Sequence, residues 1–450
     1  MSDIPISLMI LMVVTAAVLV RGFFLQEAGY LKYPFLAAAV VAGWFIPQAI
    51  GLAKDVRLPE GAYDLTMIYA AMSLIAAVVG DRWKSRVPVA NTWVYNETRL
   101  AIGAMVLSAI GAVAFALILR GGAETSTEGT GTGIVTIYFF LYALQYMGLA
   151  LALLLLLQKF SWFTFGIVAF DYSSVSGFVL FGGRRGAALD VAFITICAFW
   201  FTRRILLPRL LMIAGMIFGA LMVNVAGEYR QLIATINKNS SEPRLPTFQE
   251  FMEIPFLDHF HDTTTKGSFE VKNAIYYIAS AFQNGTYDYG AHYWNFFVFR
   301  YIPAQFLGAD FKQSLMFELP NDPSRIYDYT RHVGTTYTGF ADTFSGFSFL
   351  GIFVFTLIAA IMTKWWAAAL AGDFKSRLVY CATVATAMES ITHSTEWFFI
   401  FLPQVFIFTF PILYWARERR AEGYSTPQMA GTSARWQVRQ SSRTPRTVGN

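Results

Sequence analysis

The chain has 450 residues, of which 56% are hydrophobic and only 14% charged, with a formal net charge of +5. Soluble domains carry about 25% charged residues, so this composition, with a mean hydropathy of +0.47, argues against a water-soluble globular protein. Cys197 and Cys381 both fall inside apolar runs, which argues against a structural disulfide and leaves too few ligands for a thiolate metal site. The small positive charge calls for no nucleic-acid partner, because much of it lies in Arg417, Arg419, Arg420, Arg435, Arg439, Arg443 and Arg446 near the C-terminus.

A helical span needs about 20 predominantly apolar residues. In chain order the apolar runs predict spans at 4–20, 33–52, 63–80, 98–119, 134–157, 161–181, 187–202, 205–226, 345–363, 377–396 and 398–416. The expected fold is an all-α polytopic membrane protein of about eleven transmembrane helices with one long, mostly helical external loop. The first run lacks a basic leader and a small-residue cleavage site, so it reads as a retained span. Polar residues interrupt 161–202 and 377–416, which admit more than one division. No internal repeat is visible. The expected regions are a bundle over 1–226 (about eight spans), an external cap over 227–344, spans over 345–416, and a tail over 417–450 too poor in apolar residues to pack.

Lys and Arg concentrate in short cytoplasmic loops. With the Arg-rich tail inside, the clusters Arg21 and Lys32, Arg82 to Arg99, Lys159, Arg203 to Arg209, and Lys364 to Arg377 also fall inside. This frame puts the N-terminus and the segment 227–344 outside. One connection opposes it: Phe181, Gly182, Gly183, Arg184, Arg185 and Gly186 join two spans on the outer side. Glycines let backbone approach a ligand, and arginine is suited to bidentate phosphate contact. The turn therefore reads either as a site for a lipid-linked phosphate or diphosphate, or as a pair snorkelling to headgroups.

The external segment holds four of the five histidines, His259, His261, His292 and His332. Thr247 and Glu250 fit a capping box opening a short helix that Pro255 ends, and Asn284–Gly285 marks a turn. The aromatic stretch 291–307 reads as a helix lying in the membrane interface, where such rings prefer to sit. His259 and His261, at i and i+2, do not share a helix face, so no metal is expected. The densest polar cluster runs from Asp322 through Arg325, Tyr327, Asp328, Tyr329 and Arg331 to His332. It combines candidate bases, cations and aromatic faces, the three group types that transfer from a diphosphate to a sugar hydroxyl requires. For any one of these residues the alternative is a solvated or paired surface group.

Taken together, these features resemble the bacterial O-antigen polymerase and ligase superfamily, the oligosaccharide repeat-unit polymerases. The resemblance rests on Gly183 to Leu189, similar to the family's Gly-Ser-Arg-Gly turn, and on the single long external loop. It rests also on Arg230 soon after a span, and on a histidine-bearing loop end leading through Gly339 to Gly351 into the next span. Arg184 replaces the family's small residue, Ser348 stands where a glycine is common, and Val333 follows His332, which favours polymerase over ligase. The resemblance implies a metal-independent glycosyltransferase without a cofactor in the bacterial inner (cytoplasmic) membrane, N-terminus periplasmic and C-terminus cytoplasmic. Its donor and acceptor would be undecaprenyl diphosphate-linked oligosaccharides, used at the periplasmic face for O-antigen, exopolysaccharide or capsule, with a flippase and a chain-length regulator as possible partners. Arg184, Arg185, Arg230, Arg331 and Arg325 would hold the diphosphate. His332, or alternatively Asp328 or Asp342, would take the acceptor proton, since imidazole is the commoner base at neutral pH. Tyr327, Tyr329 and Trp294 would face sugar rings. The rival readings are a ligase passing the glycan to lipid A core or protein, and a glycolipid flippase, whose folds usually carry internal repeats.

Overall fold

The structure is a computed structural model that describes residues 4–24, 28–83, 93–120, 134–182, 185–206, 208–237, 244–332 and 335–418. Its first half comprises α1 (Ile6–Phe24), α2 (Tyr33–Val40), α3 (Ile46–Leu52), α4 (Ala62–Arg82), α5 (Glu97–Arg120), α6 (Val135–Tyr142), α7 (Leu144–Gln158), α8 (Trp162–Gly182), α9 (Arg185–Arg203) and α10 (Arg209–Asn237). The insert carries α11 (Phe248–Met252), α12 (Phe256–Lys266), α13 (Phe269–Asn284), α14 (Ala291–Tyr301), α15 (Ala304–Leu307), α16 (Ala309–Ser314) and α17 (Ser324–Tyr327). The chain closes with α18 (Thr338–Phe347), α19 (Ile352–Leu370), α20 (Phe374–Thr392) and α21 (Glu396–Ala416). Residues Val94–Tyr95 and Arg417–Glu418 pair as a two-residue antiparallel ladder.

Among the described residues, eight helical runs are long and apolar enough to cross a membrane: Ile6–Phe24, Tyr33–Leu52, Ala62–Arg82, Glu97–Ile118, Val135–Gln158, Gly186–Arg203, Thr338–Leu370 and Glu396–Ala416. The chain is therefore an all-α protein of multi-pass membrane type. Helices also occupy the other three positions where the sequence predicts spans, as α8, α10 and α20. Two boundaries differ from the sequence reading. Helix α10 continues through 226 to Asn237, and the run after the insert begins at Thr338, interrupted by a 3-10 turn at Ser348–Gly351. In the second run α2 passes through a π-helical turn at Val41–Phe45 into α3, where Pro47, lacking an N–H, stands just after the widened turn. The expected tail lies, past Glu418, outside the described residues.

Hydrogen bonds fix the direction of the helices. Tyr69 donates to Thr343 (3.0 Å), Thr356 to the Ala76 carbonyl (3.1 Å) and Thr363 to Asp81 (3.0 Å), so α4 runs parallel to α18–α19. Ser7 bonds Asp64, and Arg21 pairs with Asp81 at 3.1 Å, so α1 is parallel to both. Asp81 also takes Lys32 at 3.3 Å, a buried carboxylate compensated by two cations and a hydroxyl at the end away from the insert.

The insert caps the opposite end. Helix α13 buries Val271, Ala274, Ile275, Ile278 and Ala281 at helical spacing and shares one continuous apolar core with the bundle. Gln48 accepts from the Val271 backbone N–H at 3.2 Å, and Lys272 pairs at 3.0 Å with Asp55, which Arg57 also holds. The capping box at Thr247 and Glu250 forms as expected, and Gly285 closes α13 in the left-handed region. The aromatic helix expected over 291–307 breaks at Ile302–Pro303 into α14 and α15, because proline ends the first helix and opens the second.

Candidate functional site

The polar centre of the insert-bearing end is the short connection between α20 and α21. Thr395 caps α21, and the Oδ2 of Asp342 accepts from its backbone N–H at 2.6 Å and its hydroxyl at 2.8 Å. The carboxylate thus lies at the positive end of α21. Tyr293 of α14 bonds the same Thr395 hydroxyl at 2.5 Å, and Ser394 donates to Glu396 at 3.1 Å. Helix α18 reaches this position because residue 339 is glycine: a Cβ there would collide with the Ser390 carbonyl. The Thr336 hydroxyl then donates to the Thr392 carbonyl at 2.6 Å, and the Arg331 guanidinium lies 5.7 Å from the Tyr337 ring. On its other side α20 meets the start of α9. A Cβ on Gly186 would stand 2.7 Å from the Glu389 carboxylate, so the absence of a side chain admits that carboxylate. The last turn of α20 therefore receives both Gly186, at the start of α9, and the lead-in from the histidine-bearing loop end.

A second group abuts this centre. Asp288 accepts from His292 Nδ1 at 2.8 and 2.9 Å, and both side chains are buried. That contact assigns the proton to Nδ1. Gly346 leaves room for the ring: a Cβ would be 2.9 Å from His292 Cε1. Burial opposes charging of His292, yet the hydrogen bond with Asp288 and the charges of Asp342, Asp288 and Glu396 outweigh it, so its pKa is held above the ordinary imidazole value. Among the described residues, His292 Nε2, Asp342 Oδ1 and Ser345 Oγ are buried without a hydrogen-bond partner. Unpaired buried polar atoms are rare, and three on adjoining elements mark this junction as polar beyond what packing requires.

The residues singled out in the sequence fall into three sets. Arg184 lies outside the described residues, as do the side chains of Arg185, which opens α9, and Arg230, in α10. Arg331 and His332 lie at the loop end, with the exposed His332 ring stacked on Phe269 at 4.6 Å. Arg325 is exposed and paired with Glu318 at 3.3 Å, while Asp328 is exposed in the left-handed region with φ 50°. Tyr329 lies flat against Tyr276 at 3.9 Å and donates to Asn273 at 2.6 Å; Tyr327 donates to Gln283 at 2.5 Å. Each tyrosine thus has its hydroxyl engaged, and Tyr329 has one ring face covered. Trp294 is exposed at 44%, donates to the Leu315 carbonyl at 2.8 Å and stacks on Phe297. Among the described residues no group of His, Cys, Asp or Glu suits a metal ion.

Sequence reasoning passed over Glu389, Thr395, Glu396 and the Asp288–His292 pair. The first three left a readable mark, since they are the polar interruption of the apolar stretch 377–416. The pair left no such mark, because Asp288 precedes α14 and is brought back to His292 by the left-handed turn at Tyr289 and Gly290, where the Gly290 N–H donates to Asp288 Oδ1 at 2.8 Å. No protein-family model, curated protein or solved structure matches this chain.

Proposed function

We propose that the chain is a bacterial inner-membrane glycosyltransferase that polymerises lipid-linked oligosaccharide repeat units at its insert-bearing face, read as periplasmic, within a topology of about eleven spans. The observation that supports this reading is the convergence on the last turn of α20. Gly186, directly after Arg185, packs on Glu389, while Thr336, four residues after His332, bonds Thr392.

In the proposed reaction an acceptor sugar hydroxyl attacks the anomeric carbon of the donor glycan. The new glycosidic bond forms as the carbon–oxygen bond to the carrier diphosphate breaks, and undecaprenyl diphosphate leaves. The Arg184–Arg185 turn, with Arg230 and Arg331, stabilises the charge that develops on the leaving diphosphate. His332, or Asp328 or Asp342, accepts the hydroxyl proton. Preassembled carrier-linked units supply both substrates, so no nucleotide sugar enters.

The test is a reconstituted assay with undecaprenyl diphosphate-linked repeats. Arg185→Ala and His332→Ala each abolish chain extension while membrane levels stay intact. Full extension by both variants refutes the site assignment. Transfer of single units to lipid A core, without extension, refutes polymerisation in favour of ligation.

A further inference from the structure

Arg300, in the last turn of α14, presents a cation without a counter-charge among the described residues. Its guanidinium makes one long hydrogen bond, to the Phe139 carbonyl at 3.5 Å, and lies 5.3 Å from the Phe140 ring. No ion pair reaches it among the described residues, although arginine offers five N–H donors. Burial brings its pKa down to about 10, with only Tyr301 acting in the other direction. The side chain is part-buried, and charges drawn out of water are ordinarily paired, so this one stands out.

Its depth can be read from its neighbours. Phe139 stands one turn inside the run Val135–Gln158. The Tyr301 hydroxyl donates at 2.6 Å to the carbonyl of Ile400, one turn inside Glu396–Ala416. One turn is about 5–6 Å at 1.5 Å per residue, so Arg300 stands close to the ends of two apolar helices of spanning length. The chain that follows displays a set of exposed apolar side chains: Phe306 (80%), Leu307 (54%), Phe311 (50%) and Phe317 (60%), with Trp294 and Phe297 on α14. Such surface on a chain tethered to a membrane bundle fits the interfacial layer. Lys312 caps the same end of α14, donating to the Phe299 carbonyl at 2.8 Å, and so offsets the negative end of the helix that would otherwise repel an anion.

We propose that Arg300 is the cationic centre of a phosphate site for a membrane lipid, reached from the bilayer between α6 and α14. The ligand chemistry is a lipid phosphate or diphosphate head, held by the guanidinium fork while its tail lies along the exposed aromatic face. This site is separate from the Arg184–Arg185 turn and does not depend on glycan transfer.

The test uses the purified full chain in neutral detergent, titrated in parallel with phosphatidylglycerol, undecaprenyl diphosphate and phosphatidylcholine, with bound lipid counted by native mass spectrometry. Wild type retains a net-anionic phosphate lipid over zwitterionic phosphatidylcholine, whose choline offsets the phosphate charge. Arg300→Ala weakens that binding about tenfold or more, the loss expected for a charge-assisted contact. Arg300→Lys restores part of it, because an ammonium lacks the fork. Loss for both anionic lipids identifies bulk phospholipid as the source, and loss for the diphosphate alone identifies a polyprenyl carrier; either supports the site. Arg300→Gln can still donate to Phe139 and guards against a folding defect. Wild-type affinity for both anionic lipids in Arg300→Ala or Arg300→Gln overturns the proposal.

Discussion

Replacing Asp342 by alanine removes the acceptor for two hydrogen bonds at once, from the Thr395 backbone N–H and hydroxyl. Both donors stay buried, and a buried donor left unpaired costs about 1–3 kcal/mol. The expected loss is about 2–5 kcal/mol, at the lower end where deleting a buried carboxylate also removes its own desolvation cost. Unfolding entropy of about 2.1 cal/mol/K per residue makes 1 kcal/mol worth about 1 °C in a chain of this length, so Tm falls by about 2–5 °C. Thr395→Val deletes only the hydroxyl, with its bonds to Asp342 and Tyr293, and costs about 1–2 kcal/mol. The double variant loses less than the sum of the two by about 1 kcal/mol, because the partners share one interaction. Thermal unfolding of the detergent-solubilised full chain measures all three. Strictly additive losses, or an unchanged Tm in Asp342→Ala, would refute the claim that this contact ties α18 to α21.

Two further outcomes test neighbouring parts of the same end. Ser348 has φ 55° and ψ −141°, a conformation costing a non-glycine residue about 1–3 kcal/mol; after the added freedom of the unfolded chain, Ser348→Gly raises stability by about 1 kcal/mol, and an equal or lower Tm contradicts the strain. The raised pKa of His292 sets a pH dependence. Its pairing with Asp288, facing Asp342 and Glu396, contributes fully below the unfolded value of about 6.5 and is lost as pH rises through the higher folded value. Stability of the insert, read by limited proteolysis, therefore declines as pH rises above about 6.5 in wild type and loses this component in His292→Gln. An identical decline in the variant assigns the effect elsewhere.

The membrane-type, all-helical character of this chain was determined by its sequence alone, because apolar runs of spanning length have few other stable solutions. Backbone groups in hydrocarbon must be satisfied within the segment, and a helix does that locally. Local turn chemistry was equally legible: Thr247 and Glu250 close their capping box, and Gly285 ends α13. Even the departure at Ser348 marked a place where the backbone takes a glycine-like conformation. The parallel pairing of α4 with α19, and the approach of Gly339 to Ser390 and of Gly186 to Glu389, belong to the tertiary structure. These contacts join residues far apart in the chain, and hydrophobic periodicity records which face is buried without recording against what. The same limit explains why the cluster Arg325 to His332 stood out by composition while Asp288, His292 and Thr395 did not. His292 showed only as one of several histidines and Thr395 only as a polar break in an apolar stretch; with Asp288 they become part of a site only when α14, α18 and α21 meet.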